Sequence, residues 1–359
     1  MIPFLQLTPG EDATAVRDAI DRVITRGWFV LGPEVEAFER EFAAACGAAA
    51  AIGVGTGTDA IAIALRALGV GPGDEVITAP LSAAYSALAI MMVGARPIFA
   101  DVDPDRLTLD PGAAAAAVTS RTAAILPVHL YGQSADMPAL CSVAARHNLA
   151  IVEDCCQAHL ATCEGQPVGS FGAAAAYSFY PTKNLAALGD GGAITTSDPQ
   201  LAAHAKRLRN GGQTDRYQHA EFGVNSRLDE MQAAVLRARL ALLPEWTARR
   251  RQMASAYRAR LRDARCITIP PEMDSGHVYH LFPVRSRDRR AVQANLRAAG
   301  VETLIHYPVP IPKQPALATE RPADCPVANR ICDEVFSLPL YPSLPLEAID
   351  RIAAALAPA

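Results

Sequence analysis

Lys183 is the residue whose type and setting point most directly to chemistry. It lies in Tyr177–Ala193, YSFYPTKNLAALGDGGA, and is the only charged side chain between Glu164 and Asp190. An ammonium among Ala, Gly, Phe and Tyr is poorly solvated, so burial disfavours its charged form and lowers its pKa. A neutral lysine amine is a nucleophile whose usual product with a carbonyl is a Schiff base. A lysine on a surface loop is the plain alternative. Residues 173–179 before it read as a buried strand, and Pro181-Thr182 turns the chain. Gly189, Gly191 and Gly192 let the backbone pass close to something flat.

Two further clusters stand where strands are expected to end. The first is Gly53-Val54-Gly55-Thr56-Gly57-Thr58-Asp59-Ala60, between a strand and a helix. Glycines before a helix start expose backbone N–H groups, and the helix dipole favours an anion there, most simply one phosphate monoester. Gly55, Gly57 and Ala60 also match the dinucleotide spacing GxGxxA. That reading needs an acid at the end of the next strand, and Asp74 and Glu75 precede that strand instead. A capped glycine turn without a ligand is the other alternative. The second cluster is Ile151-Val152-Glu153-Asp154-Cys155-Cys156-Gln157-Ala158-His159. Open α/β sheets bind ligands at the carboxyl ends of their strands. A carboxylate there suits a cationic ring nitrogen, such as the pyridinium of pyridoxal phosphate. Gln157 and His159 follow on the next turn. A metal site from Glu153, Asp154 and His159, or simply buried structural polar groups, are the alternatives. Ser178 adds a hydroxyl at the end of the strand before Lys183. Phosphate cradle, ring-nitrogen partner and amine, each at a strand end, make one site for a small aldehyde phosphate.

The elements that must position these groups alternate. Short apolar strands are expected at 51–54, 75–78, 97–100, 123–128, 150–152, 173–179 and 193–196. Helical patterns lie at 58–68, 83–93, 111–118 and 137–147. Such alternation means an α/β fold with a mostly parallel sheet flanked by helices. The lysine loop is too short for a helical crossover, so the last strand is expected to be antiparallel. Two helices, at 11–25 and 34–46, precede the sheet. The aromatic turn Gly27–Pro33 between them reads as facing a partner. From 228 to 260 the pattern is helical and arginine-rich, broken or kinked at Pro244. Arg249, Arg250 and Arg251 read as a solvated helix face. The boundary placed there gives a large domain, 1–243, and a small α+β C-terminal domain, 244–359. The small domain is expected to hold strands at 266–269 and 280–284, helices at 289–299 and 346–356, and a Pro-rich loop from His306 to Pro315.

Composition excludes several classes. The chain has 359 residues, half of them hydrophobic, enough for a large core. A net charge of −4 gives no reason to expect nucleic acid or an anionic membrane as a partner. No apolar run reaches the length of a membrane span. The opening MIPFLQLTPGED lacks a basic region followed by an apolar core, so no signal peptide is expected. The eight cysteines are scattered, apart from the adjacent Cys155-Cys156. They read as reduced thiols of a cytoplasmic protein.

With these residues in view, the sequence resembles the DegT/DnrJ/EryC1/StrS sugar aminotransferases, fold-type-I enzymes that use pyridoxal 5′-phosphate. The resemblance runs through GTGTDA at Gly55–Ala60, PVHLYGQ at Pro127–Gln133, EDCCQAH at Glu153–His159 and SFYPTKNLAALGDGGA at Ser178–Ala193. GVNSRLDEMQAAVL at Gly223–Leu236 and HYPVP at His306–Pro310 continue it. It implies that Lys183 is the Schiff-base lysine, that Asp154 pairs with the pyridinium nitrogen and that Gln157 meets the phenolic oxygen. It implies phosphate binding by Gly57, Thr58 and Ser178, with Asn225 reaching the same phosphate from a neighbouring subunit of a homodimer. It implies transamination through pyridoxamine 5′-phosphate, from an amino acid such as L-glutamate to a keto sugar nucleotide. The run Ser178–Asn184, the Tyr217/His219 loop before Gly223 and His306-Tyr307 resemble the branch acting on dTDP-3-keto-6-deoxyhexoses. Tyr180, three residues before the lysine, is then placed to orient a sugar hydroxyl, and His306 and Tyr307 to close over the sugar; core packing of Tyr180 and bracing of the Pro-rich loop by His306-Tyr307 are the alternatives. Action on a 4-keto sugar nucleotide or a keto-cyclitol, and a non-catalytic cofactor-binding regulator, are the alternatives. Two stretches depart from the family. Ala83 stands where relatives carry an aromatic against the cofactor ring, with Tyr85 as the candidate substitute. Gly211-Gly212-Gln213 replaces a tyrosine-containing loop.

Overall fold

A computed structural model describes residues 1–317 and 323–356. The short apolar segments become β1 (Ala50–Val54), β2 (Glu75–Thr78), β3 (Arg96–Phe99), β4 (Thr122–Leu126), β5 (Ala150–Asp154), β6 (Ala174–Ser178) and β7 (Gly192–Thr196). They form one sheet in the order β1-β7-β6-β5-β4-β2-β3. β7 is antiparallel to β1 and β6, as its short connection to β6 requires, and the other pairings are parallel. β5 runs two residues further than expected and takes in both Glu153 and Asp154.

Alternate residues of each strand feed two cores. Ile77, Ile125, Ile151 and Tyr177 pack on one face with α2 (Pro33–Cys46) and α6 (Met137–His147). Val76, Leu126, Val152 and Ala176 pack on the other with α3 (Gly57–Ala67), α4 (Tyr85–Met92) and α7 (Pro199–Leu208). α1 (Ala13–Arg26) packs on α8 (Glu230–Leu240), and α5 (Pro111–Ala116) closes the list of helices around the sheet. α7 was not anticipated, although Asp198 caps it and Pro199 opens it.

α9 (Leu243–Arg260) begins at the expected break, and Pro244 sits in its first turn, where no N–H is needed. Leu243 faces the sheet's core, while Met253 and Tyr257 enter a third core. That core holds the antiparallel pair β8 (Phe282–Arg285) and β9 (Val335–Leu338), with α10 (Arg289–Ala298) and α12 (Leu346–Leu356). α11 (Pro326–Glu334) leads into β9. The strand expected at 266–269 is reduced to a bridge between Thr268 and Arg285. Pro270 and Pro271 follow it and lack the N–H groups a ladder needs. The reading of 249–251 as a solvated face fails at Arg250. It is buried, and its Nη1 donates to the carbonyls of Tyr279, His280 and Leu340.

Trp28, Phe29 and Val30 of the aromatic turn are exposed. All eight cysteines are free. No helix among the described residues is long and apolar enough to cross a membrane.

Candidate active site

The lysine loop is pinned at both ends. Phe179 N–H donates to Gly191 O at 2.8 Å, Ala187 N–H to Phe179 O at 2.7 Å, and Lys183 N–H to Tyr180 O at 2.8 Å. Asn184 Nδ2 donates to Val278 O at 3.0 Å and its Oδ1 accepts from His280 Nδ1 at 3.2 Å. The loop is thus tied to the segment leading into β8. Among the described residues Lys183 makes no salt bridge. Burial lowers its pKa, opposed by the thiol of Cys156 and the carboxylate of Asp154 beside it. Three imidazoles feel the same charge. Burial first, then Lys183, draws His159 down to about 3 and His306 to about 4, and takes His280 well below its ordinary value. All three are neutral near pH 7. A cavity of about 260 Å³ opens beside Lys183, between residues 5–12 and the side chains of Arg239, Trp246 and Arg250.

Glu153 and Asp154 are adjacent in β5 and serve opposite faces. Glu153 is fully buried and accepts from the N–H groups of Gly169, Phe171 and Gly172 at 2.7–2.8 Å. His129 Nδ1 accepts from Ala135 N–H at 3.0 Å, so its Nε2 carries the proton that reaches Glu153 at 3.1 Å. Those bonds occupy Glu153 completely, and the trio Glu153, Asp154 and His159 does not converge on a point. Asp154 is buried too, but no cation pairs with it among the described residues. Its Oδ2 accepts from Ser86 Oγ at 2.7 Å and its Oδ1 from Cys156 N–H at 3.1 Å. His159 donates from Nε2 to Ser178 O at 2.9 Å, and its buried Nδ1 has no partner among the described residues.

The start of α3 is pressed against the end of β6. A Cβ on Gly57 would lie 2.6 Å from Ser178 Cβ and 2.9 Å from Cys156 Sγ. Only glycine fits there. Thr56 Oγ1 caps the helix by accepting from Asp59 N–H at 3.0 Å. Among the described residues the N–H groups of Gly57 and Thr58 have no acceptor. Gly192 serves a different purpose from the one expected. A Cβ there would lie 2.3 Å from Thr56 O, so the chain itself, not a flat ligand, demands this glycine.

Gln157 Oε1 accepts from Tyr131 N–H at 2.8 Å, and its Nε2 donates to Tyr307 Oη at 3.0 Å. Burial pushes Tyr307 up to about 12, with Asp154, Cys156 and Tyr85 adding to the rise and Gln157 easing it. His306 Nδ1 meets Ser337 Oγ at 3.0 Å, and its carbonyl accepts from Tyr131 Oη. Gly57, Asp154, Gln157, Ser178, Lys183, His306 and Tyr307 therefore share one region, and Thr58 opens α3 beside it. Tyr180 and Asn225 are the exposed members of the set. Tyr180 is 52% exposed, which rules out a core-packing role. Asn225 is exposed, and no hydrogen bond joins it to Lys183 in this chain. Tyr85 is 62% exposed at the first residue of α4.

Ser86, His280 and Tyr131 were not foreseen. Ser86 sits in the apolar run AYSALAI, and only its bond to a residue 68 positions away marks it. These groups provide an open helix N-terminus with a nearby hydroxyl, a buried carboxylate lacking a cation, and an amine of lowered pKa. That donor set fits pyridoxal phosphate.

The model of the DegT/DnrJ/EryC1/StrS aminotransferase family matches residues 11–357. The chain is 48% identical to "Erythromycin biosynthesis sensory transduction protein EryC1" of Saccharopolyspora erythraea, over 99% of this chain and 98% of that protein. It is also 48% identical to "dTDP-3-amino-3,4,6-trideoxy-alpha-D-glucose transaminase" of Streptomyces venezuelae, over 96% of this chain and 92% of that one. Among solved structures it is similar to S. venezuelae DesV, with a TM-score of 0.95 and 46% identity. That match covers 100% of this chain and 99% of the other.

Proposed function

The chain belongs to the DegT/DnrJ/EryC1/StrS aminotransferase family, and on that premise we propose that it aminates a nucleotide-linked keto sugar. The substrate we infer is a dTDP-3-keto-6-deoxyhexose, with L-glutamate as amino donor. The chain is a pyridoxal-phosphate-dependent enzyme. The bound cofactor supplies an electron sink for the charge that develops at the reacting carbon.

The chain's own groups then take the following parts. The N–H groups of Gly57 and Thr58 and the Ser178 hydroxyl hold the phosphate at the positive end of α3. Asn225 of a neighbouring copy completes that cradle, which makes the working unit a homodimer. Asp154 keeps the proton on the ring nitrogen, and Gln157 orients the phenolic oxygen. Lys183 Nζ takes the proton from the donor's Cα as general base, and its lowered pKa suits that task. The small domain, 244–359, brings His306 and Tyr307 to the sugar, opposite Tyr180. The observation that carries the reading is the buried Asp154 beside Lys183, neither of them in a salt bridge among the described residues.

Product formation across a panel of keto-sugar nucleotides tests the substrate. Fastest turnover of 3-keto dTDP sugars is expected. Preference for 4-keto compounds or a keto-cyclitol would overturn the sugar assignment and leave the aminotransferase standing. A relative's name as a sensory transduction protein favours a second reading, a cofactor-binding regulator. Amine transfer from L-glutamate by the purified chain excludes that reading, and its absence from a cofactor-loaded chain supports it.

A further inference from the structure

Asp154 does not stand alone in its wall. Ser86 and Asp154 are both at least 95% buried, and Ser86 Oγ–H donates to Oδ2 at 2.7 Å while Cys156 N–H donates to Oδ1. One donor per oxygen fixes both the position of the carboxylate and the tilt of its plane. Cys156 follows Asp154 in the chain and turns with it. Ser86 comes from α4, on another element, and among the described residues it is the side chain outside β5 and the turn after it that hydrogen-bonds this carboxylate.

We propose that Ser86 is a positioning residue of the cofactor site, holding the Asp154 carboxylate in the orientation that receives the ring N–H. This rests on the role of Asp154 proposed above. A buried carboxylate that loses a donor turns toward whatever other donor it finds, and a ring N–H then meets it off line. Ser86 plays no competing part in the helix. It is the second residue of α4, Ala84 occupies the cap position, and alanine favours a helix interior more than serine does.

The test measures cofactor affinity of the full-length chain by fluorescence titration, with thermal unfolding of the cofactor-free chain as the folding control. Ser86→Ala is expected to weaken pyridoxal phosphate binding roughly 10- to 100-fold, the factor that corresponds to one hydrogen bond to a charged group. The cofactor-free variant should still unfold in one cooperative transition, its midpoint lowered by no more than the loss of one buried hydrogen bond. Ser86→Thr keeps the hydroxyl and should restore affinity to within about threefold. In an Asp154→Asn background, Ser86→Ala should change affinity by less than about threefold, because the partner it orients has been neutralised. Wild-type affinity in Ser86→Ala overturns the inference, as does an undiminished loss in the Asp154→Asn background. Failure of threonine to rescue overturns it too, since the effect would then be packing alone. If Asp154→Asn itself binds the cofactor as wild type does, the ring-nitrogen role falls and takes this inference with it. If Asp154→Asn binds poorly while Ser86→Ala binds normally, only this inference is lost.

Discussion

The two edges of the sheet treat charge in opposite ways. At the amino ends of the strands, Glu75 opens β2 with a side chain 1% exposed and is surrounded by partners. Arg96 and Arg121 both bind its Oε1, and Thr119 Oγ1 donates to Oε2 at 2.6 Å. Burial alone would raise its pKa, but the Thr119 hydroxyl and the two guanidiniums outweigh it and hold the carboxyl at about 2. At the carboxyl ends Asp154 is buried and Lys183 half-buried, yet no ion pair closes over either one among the described residues. Charge met by counter-ions makes the first edge a fastening. Charge left without a counter-ion makes the second a receptacle.

Breaking the receptacle at its amine should have the largest effect. Lys183→Ala is expected to lower amine transfer by more than roughly 10³-fold while the chain stays folded. Borohydride treatment of the cofactor-loaded wild type should leave a pyridoxyl group on Lys183, located by peptide mass mapping. A label on another lysine would refute the assignment. In the wild type, the lowered amine pKa keeps the neutral base present at lower pH than for an ordinary lysine. The donor half-reaction should therefore fall off toward acid at a lower pH than an ordinary lysine would set.

Next in size is the contrast between neighbours on β5. Asp154→Asn should slow the half-reaction with L-glutamate by roughly 10²-fold or more, with little change in unfolding. Glu153→Gln should do the reverse, costing about 2–4 kcal/mol of stability because an amide cannot accept all three backbone N–H bonds. If Glu153→Gln lost the half-reaction at full stability while Asp154→Asn kept it, the two faces of β5 would be assigned backwards.

A mixing experiment is smaller in effect and specific to the proposed shared cradle. Lys183→Ala and Asn225→Ala chains, each inactive alone, should regain roughly a quarter of wild-type activity after random subunit exchange, since one site in four is intact. No recovery after exchange proven by mass spectrometry would rule against sharing.

The smallest effect lies at the fastened edge. Glu75→Gln should cost only about 1–2 kcal/mol, because both arginines remain largely in water, and should leave amine transfer unchanged. Glu75's folded pKa is lowered from 4.5 to about 2, so its contribution is full above the ordinary carboxylate range and is lost as pH falls toward 2. Denaturant unfolding at several pH values should show that acid-side slope in the wild type and less of it in the variant. Lost activity in Glu75→Gln would blur the distinction between the edges.

Most of the site was legible because its chemistry sits on local patterns. Glycines before α3, two acids closing β5 and an isolated lysine between two strands are each read within a dozen residues. The sheet was legible for the same reason, down to the antiparallel β7, since a short loop leaves the chain no other choice. What escaped depends on distance. Ser86 looks like one polar residue in an apolar helix until Asp154 is set beside it. Arg250 looks solvated until the carbonyls of Tyr279, His280 and Leu340 converge on it. The strand expected at 266–269 kept only the Thr268–Arg285 bridge, and Pro270-Pro271 prevents the ladder from running on past it.

The place of β1 at the edge of the sheet has a consequence for how the chain is made. β1 is hydrogen-bonded only to β7, so the strand that leads into Gly57 has no seat until Gly192–Thr196 exists. During synthesis the ribosome must add the whole stretch from Val54 to β7 first. At typical elongation speeds that wait lasts on the order of ten seconds. Throughout it, β1 and the glycine turn after it have α2 to pack on but no strand to pair with, while β2 to β5 already have strand neighbours in place. The proposed phosphate cradle therefore cannot take its place in the sheet before the lysine hairpin that β7 closes has been made.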